Sequence, residues 1–100
     1  MIHAEISIYP IGTESTSISF YVARAVDALR GIKSVKYSIT PMGTAIESEG
    51  MGHVLEAVRE MTETVHRLGV RRVEVVLKID SRSDKDQSLE DKVESVKKHL

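Results

Sequence analysis

Val35-Lys36-Tyr37-Ser38-Ile39-Thr40-Pro41-Met42-Gly43-Thr44-Ala45-Ile46-Glu47-Ser48-Glu49 is the stretch that decides the fold. Val35, Tyr37 and Ile39 alternate with Lys36, Ser38 and Thr40, the period-two pattern of a strand with one apolar face. Pro41-Met42-Gly43 is a tight turn, and Thr44 to Glu49 resumes extended chain, so the two runs predict a β-hairpin. Gly50 and Gly52 close it.

The same reading extends outward on both sides. Upstream, Ile18, Val22, Ala25, Val26 and Leu29 line one side of a helix that Gly31 ends. Before it, Ile2, Ala4, Ile6 and Ile8 alternate with His3, Glu5, Ser7 and Tyr9, a first strand expected to stop at Pro10. Gly12 to Ser17 is a polar connection rich in capping residues. Downstream, Val54, Val58, Met61, Val65 and Leu68 mark a second helix with Gly69 as its stop. Val73, Val75, Leu77 and Ile79 make a fourth strand, and Leu89, Val93, Val96 and Leu100 are the stripe of a third helix at about residues 88–100. Ser88 and Asp91 have capping-box spacing. Strand–helix–strand twice over, with a hairpin between, predicts an α+β, ferredoxin-like βαββαβ sandwich. Its four-stranded antiparallel sheet has both crossover helices on one face, and the C-terminal helix is an addition. Residues 1–100 are read as one domain.

Composition bounds the function. Fourteen basic residues face fifteen acidic ones. They balance in each half, four against five in residues 1–50 and ten against ten in 51–100. No basic stripe is present to follow a phosphate backbone or anionic lipid, so neither nucleic acid nor membrane is an expected partner. There is no Cys, which removes disulfides, thiolate metal sites and Cys nucleophiles. Met1 to Glu5 carries an acid at once and does not read as a signal peptide, and no apolar run approaches a membrane span. A cytoplasmic location is the expectation.

No catalytic constellation is visible. His3, His53, His66 and His99 include no pair at helical ligand spacing, and no metal or cofactor is implied. The Ser and Thr residues of 13–19 lack a nucleophile elbow or a paired base, though they lead into a helix N-terminus that could accept an anion. An Asn-dependent acylphosphatase is excluded by the absence of Asn, and an RNA-recognition sheet by having Tyr9 as its one exposed aromatic. The expectation is therefore binding without catalysis. An oligomeric interaction module is the alternative, with an enzyme of unrecognised type behind both.

In-phase counting puts Glu5, Ser7, Tyr9, Ser38, Thr40, Glu74, Val76 and Lys78 on the helix-free face, with Glu47 beside them. An uncovered sheet face of this kind is a surface for a second subunit or for solvent. Thr44 and Ser48 count inward, near Tyr37. Polar groups beneath helices need partners, so these hydroxyls either bond to nearby backbone or line a pocket for a small heterocycle.

Four segments together carry a resemblance to one family. They are Ser7-Ile8-Tyr9-Pro10-Ile11-Gly12-Thr13, Pro41-Met42-Gly43-Thr44-Ala45-Ile46-Glu47, Arg72-Val73 with Lys78 to Arg82, and Lys92-Val93-Glu94-Ser95-Val96. The chain resembles the thiamine-binding, YkoF-like family of small ferredoxin-like proteins along essentially its whole length. The resemblance implies a non-catalytic protein that binds thiamine or its hydroxymethylpyrimidine moiety, for storage, delivery or sensing. It also implies a homotetramer, a dimer of dimers joined through sheet faces. By matching motif positions it puts Thr44 and Glu47 first as ligand contacts, with Ser7 and Tyr9 behind them; Tyr37 and Ser48 complete the candidate set. Where relatives tend to carry acidic residues before the second helix, this chain has Gly50-Met51-Gly52-His53. A thiazolium cation would be drawn to a Glu, or to the ring face of Tyr9 or Tyr37 by roughly 0.5–2 kcal/mol.

Overall fold

The computed structural model describes residues 1–100. Strand β1 runs Ile2–Ile11, helix α1 Ser19–Asp27, β2 Val35–Thr40, β3 Gly43–Ser48, α2 Met51–Arg67, β4 Arg72–Ser81 and α3 Leu89–Lys97. A 3-10 turn, Ala28–Gly31, extends α1. The strands form one antiparallel sheet in the order β2-β3-β1-β4, which is the ferredoxin-like arrangement.

The core lies between this sheet and helices α1 and α2. Ile2, Ala4, Ile6 and Ile8 point down from β1, and Ile46 from β3. Ala25, Val26 and Leu29 meet them from α1 and its extension, while Val54, Ala57, Met61 and Val65 meet them from α2. The α2 positions recur at spacings of three and four, which keeps one stripe of the helix on the sheet. Glycine closes α2: Gly69 has φ +93°, a left-handed conformation that a side chain resists.

Three strand ends differ from the sequence reading, and α3, expected to run to Leu100, ends at Lys97. β1 continues through Pro10, which pairs with Val73, to Ile11. The reason is the sheet edge. Pairing of β1 with β3 ends at Ile6 opposite Thr44, whereas pairing with β4 spans all of Ile2–Ile11. Beyond Ile6 the strand has a neighbour on one side only, and an edge tolerates proline. β3 likewise begins at Gly43 and ends at Ser48, one residue earlier at each end than expected.

α3 lies on the other side of the sheet, its start held over β3. The capping box is formed: the Ser88 hydroxyl accepts from the Asp91 amide, and an Asp91 carboxylate oxygen accepts from the Ser88 amide, both at 3.0 Å. The helix buries none of its residues, and Val93, Val96 and Leu100 remain exposed. No helix is long and apolar enough to cross a membrane.

Candidate functional site

The mismatch in strand length that admits Pro10 also opens a cavity. β1 outruns the β2–β3 hairpin by five residues, so past Ile6 its free edge faces the start of α1 across a gap. The cavity there measures about 630 Å³, within the range of small-molecule sites. Its walls come from β1 (Ile6 to Tyr9), from α1 and the residues before it (Ser17 to Val26), from the hairpin tip (Ile39 to Thr44) and from Met61 of α2.

Gly43 sets how closely the hairpin approaches β1. A Cβ at this position would lie 3.0 Å from the Ser7 hydroxyl and 3.1 Å from the Ile6 carbonyl oxygen. The Ser7 hydroxyl donates to the Met42 carbonyl at 3.0 Å and ties the tip to β1. Thr40 folds the tip on itself, its hydroxyl donating to the Gly43 carbonyl and accepting from the Gly43 amide.

Thr44 is the polar group left over. The residue is 2 % exposed and borders the cavity, and its hydroxyl, which makes no side-chain hydrogen bond within the chain, is open to that cavity; the sealed polar atom without a partner is His3 Nε2. Ser48, two residues on and facing the same way, is satisfied: its hydroxyl donates to the Ser34 carbonyl at 2.9 Å and accepts from the Gly50 amide at 3.4 Å. Each of the two fates open to an inward hydroxyl is thus realised once. Ser48 is structural, and Thr44 faces space.

The six residues picked from sequence divide accordingly. Ser7, Tyr9 and Thr44 meet at the cavity. Tyr37 packs half-buried against the core away from it, and Ser48 is at the opposite end of β3. Glu47 faces the other side of the sheet, as its phase requires, and is buried under α3. There its Oε1 accepts the Leu89 amide at 2.7 Å, so the carboxylate holds the N-terminus of α3, where a negative charge is favoured. His3 lies next to it, equally buried, with Nε2 3.8 Å from the same oxygen and without a hydrogen-bond partner. Asp80, opposite His3 on β4, pairs with Lys92 of α3. Hydrogen bonding to Lys92 holds the Asp80 carboxyl below the usual carboxylate range.

Sequence reasoning did not find the α1 side of the cavity as part of a pocket with Thr44. The Ser-rich run before α1 leads into a helix N-terminus, but joining it to the hairpin tip takes the fold. No cluster of His, Asp or Glu suited to a metal ion exists.

The fold is that of a ferredoxin-like α+β sandwich with an apolar cavity at one end of its sheet. Residues 4–97 match the family described as thiamine-binding protein, and the chain belongs to that family. A UPF0045 protein of Methanothermobacter thermautotrophicus is 49 % identical over 100 residues, covering all of both chains. UPF0045 protein YqgV of Bacillus subtilis is 41 % identical, covering 97 % of this chain and 95 % of its own. Among solved structures, protein MJ1052 of Methanocaldococcus jannaschii superposes with a TM-score of 0.86 at 34 % identity, covering 96 % of this chain and 95 % of that one. A Thermotoga maritima protein, described provisionally as one of thiamine biosynthesis or salvage, shares the fold at TM-score 0.78 and 21 % identity, over 95 % and 97 % of the two chains.

Proposed function

We propose that this chain is a non-catalytic binding protein for thiamine or its hydroxymethylpyrimidine moiety, taking the ligand in the cavity beside Thr44. The observation that carries this reading is the Thr44 hydroxyl, free of side-chain hydrogen bonds, in a largely apolar wall, in a chain of the thiamine-binding protein family. A flat aminopyrimidine offers donors and acceptors at its edge to Thr44 and apolar faces to Ile8, Val22 and Met61. Tyr9 is a further, exposed residue of the lining.

Titration calorimetry of the purified protein with thiamine and with hydroxymethylpyrimidine tests this. Micromolar binding of either compound, weakened in Thr44→Val, is the expected result. No detectable heat with either, well above micromolar concentration, overturns it.

Assembly into an oligomer, which the alternative reading would have without any thiamine-type ligand, draws on a different observation. Val76, Tyr9 and Ile11 are exposed on the sheet face opposite α1 and α2, and Val93 and Val96 on α3. We propose that these surfaces join copies of the chain into a homo-oligomer, a dimer of dimers, in the same protein that binds the ligand.

A further inference from the structure

We propose that β4, a free edge of the sheet, pairs with β4 of a second copy about a two-fold axis at Val76, joining two four-stranded sheets into one. This deepens the assembly proposed above by assigning one interface and its register, and it does not depend on the ligand.

The strand order β2-β3-β1-β4 leaves β4 bonded on one side, and all ten of its residues pair with β1 in unbroken register. A long edge with neither proline nor bulge offers a row of amides and carbonyls to another chain. The other edge, β2, has six residues. Charged side chains commonly blunt such edges, and β4 carries four. Their order decides whether they keep chains apart or join two.

Arg72, Glu74, Val76, Lys78 and Asp80 share the sheet face opposite α1 and α2, in the order plus, minus, apolar, plus, minus. Antiparallel pairing centred on Val76 sets residue 72 opposite residue 80 of the second copy, and 74 opposite 78. Arg72 then meets Asp80 and Glu74 meets Lys78, each pair formed twice. On the other face the same register sets Val73 against Ile79 and Val75 against Leu77, all apolar. The neighbouring registers fail. Centred on Val75, Arg72 opposes Lys78; centred on Leu77, Glu74 opposes Asp80. Like charges directly opposite one another destabilise a ladder.

These groups are available for a partner. Arg72, Glu74 and Lys78 make no ion pair within the chain, and Asp80 pairs with Lys92. Val73, Val75, Leu77 and Ile79 are half-buried, whereas Ile6 and Ile8 of the adjoining β1 are buried. Val76 is 57 % exposed. A second β4 alongside covers the apolar row and pairs the charges.

Light scattering and residue-resolved amide exchange of the full chain test this. Every second amide of a free edge strand points away from its neighbour and exchanges fast; in a paired edge, successive amides from Val73 to Ile79 are protected together. Protection of that whole run, in a protein of two chains or a multiple of two, is the expected result. Glu74→Lys sets a lysine against Lys78, and Lys78→Glu sets a glutamate against Glu74. Each is expected to weaken association about tenfold and to expose alternate β4 amides. A one-to-one mixture of the two variants opposes lysine to glutamate throughout, and is expected to restore both mass and protection; mixing does not cure a folding defect. Fast exchange of alternate β4 amides in an unaltered oligomer, variants that associate as the unaltered protein does, or a mixture that does not recover overturns this interface and leaves assembly through the sheet face standing. A mass that keeps growing with concentration shows β4 meeting a different edge of the next copy, and overturns it as well. A monomer overturns the assembly and this inference together.

Discussion

Gly43 and Thr44 are neighbours in sequence and do opposite things for the site. Gly43 contributes by having no side chain, which lets the hairpin tip rest against Ser7 and Ile6. Thr44 contributes a hydroxyl that the fold leaves without a partner. Gly43→Ala should push the tip off β1, because the nearest obstacle that cannot rotate away is the Ile6 carbonyl at 3.1 Å. A loss of stability of about 1–3 kcal/mol is expected, read as a lowered urea midpoint, together with weakened ligand binding. An unchanged midpoint would show that the close approach is not required. The outward phase of Glu47 could be read from alternation alone. Its partner could not, since Leu89 is 42 residues away and nothing local in the sequence couples them.

At the scale of elements, periodicity was sufficient for the strands and for α1 and α2, because each turns one apolar face to the core; α3 buries none of its residues. What it could not supply was relative length. Pro10 reads as a strand stop, and only the shortness of the β2–β3 hairpin, which turns the far half of β1 into an edge, explains why the strand continues. The cavity follows from that same mismatch, so it was as illegible as the mismatch. Helix α3 shows the reverse case: its capping box was visible in Ser88 and Asp91, yet its docking depends on Glu47 and on the Asp80–Lys92 pair.

This docking should respond to acid. Asp80 and Asp91 are both held below the usual carboxylate range, Asp80 by its hydrogen bond to Lys92 and Asp91 by the Ser88 amide. A carboxyl whose pKa is lowered by folding stabilises the folded form above its unfolded pKa, and that contribution fades as pH falls through the folded value. Below about pH 4, the ordinary carboxylate range, α3 should loosen before the sheet does. Amide hydrogen exchange in residues 89–97 should rise relative to β1 as pH is lowered, once intrinsic exchange rates are divided out. Parallel behaviour of the two segments would mean that these contacts do not hold the helix.

For the whole molecule, the open face presents Val76 and Tyr9, and α3 adds Val93 and Val96, all exposed in the single chain. A chain of 100 residues buries only roughly 60–65 % of its unfolded surface, so a second copy covering these groups would add area that the fold alone lacks. Light scattering is expected to give a mass several times that of one chain, and Val76→Glu to lower it. A monomer in the unaltered protein would leave this face without the assigned partner.

The central claim is that ligand binds at Thr44 and away from Glu47, although sequence motifs put both residues forward together. Calorimetric titration of hydroxymethylpyrimidine into Thr44→Val and Glu47→Gln, beside the unaltered protein, separates them. Affinity should fall about fivefold in Thr44→Val, the loss of one hydrogen bond worth about 1 kcal/mol, and stay as it was in Glu47→Gln, whose effect should appear in α3 instead. Loss of binding in Glu47→Gln with Thr44→Val unaffected would contradict the account and move the site to the opposite face of the sheet.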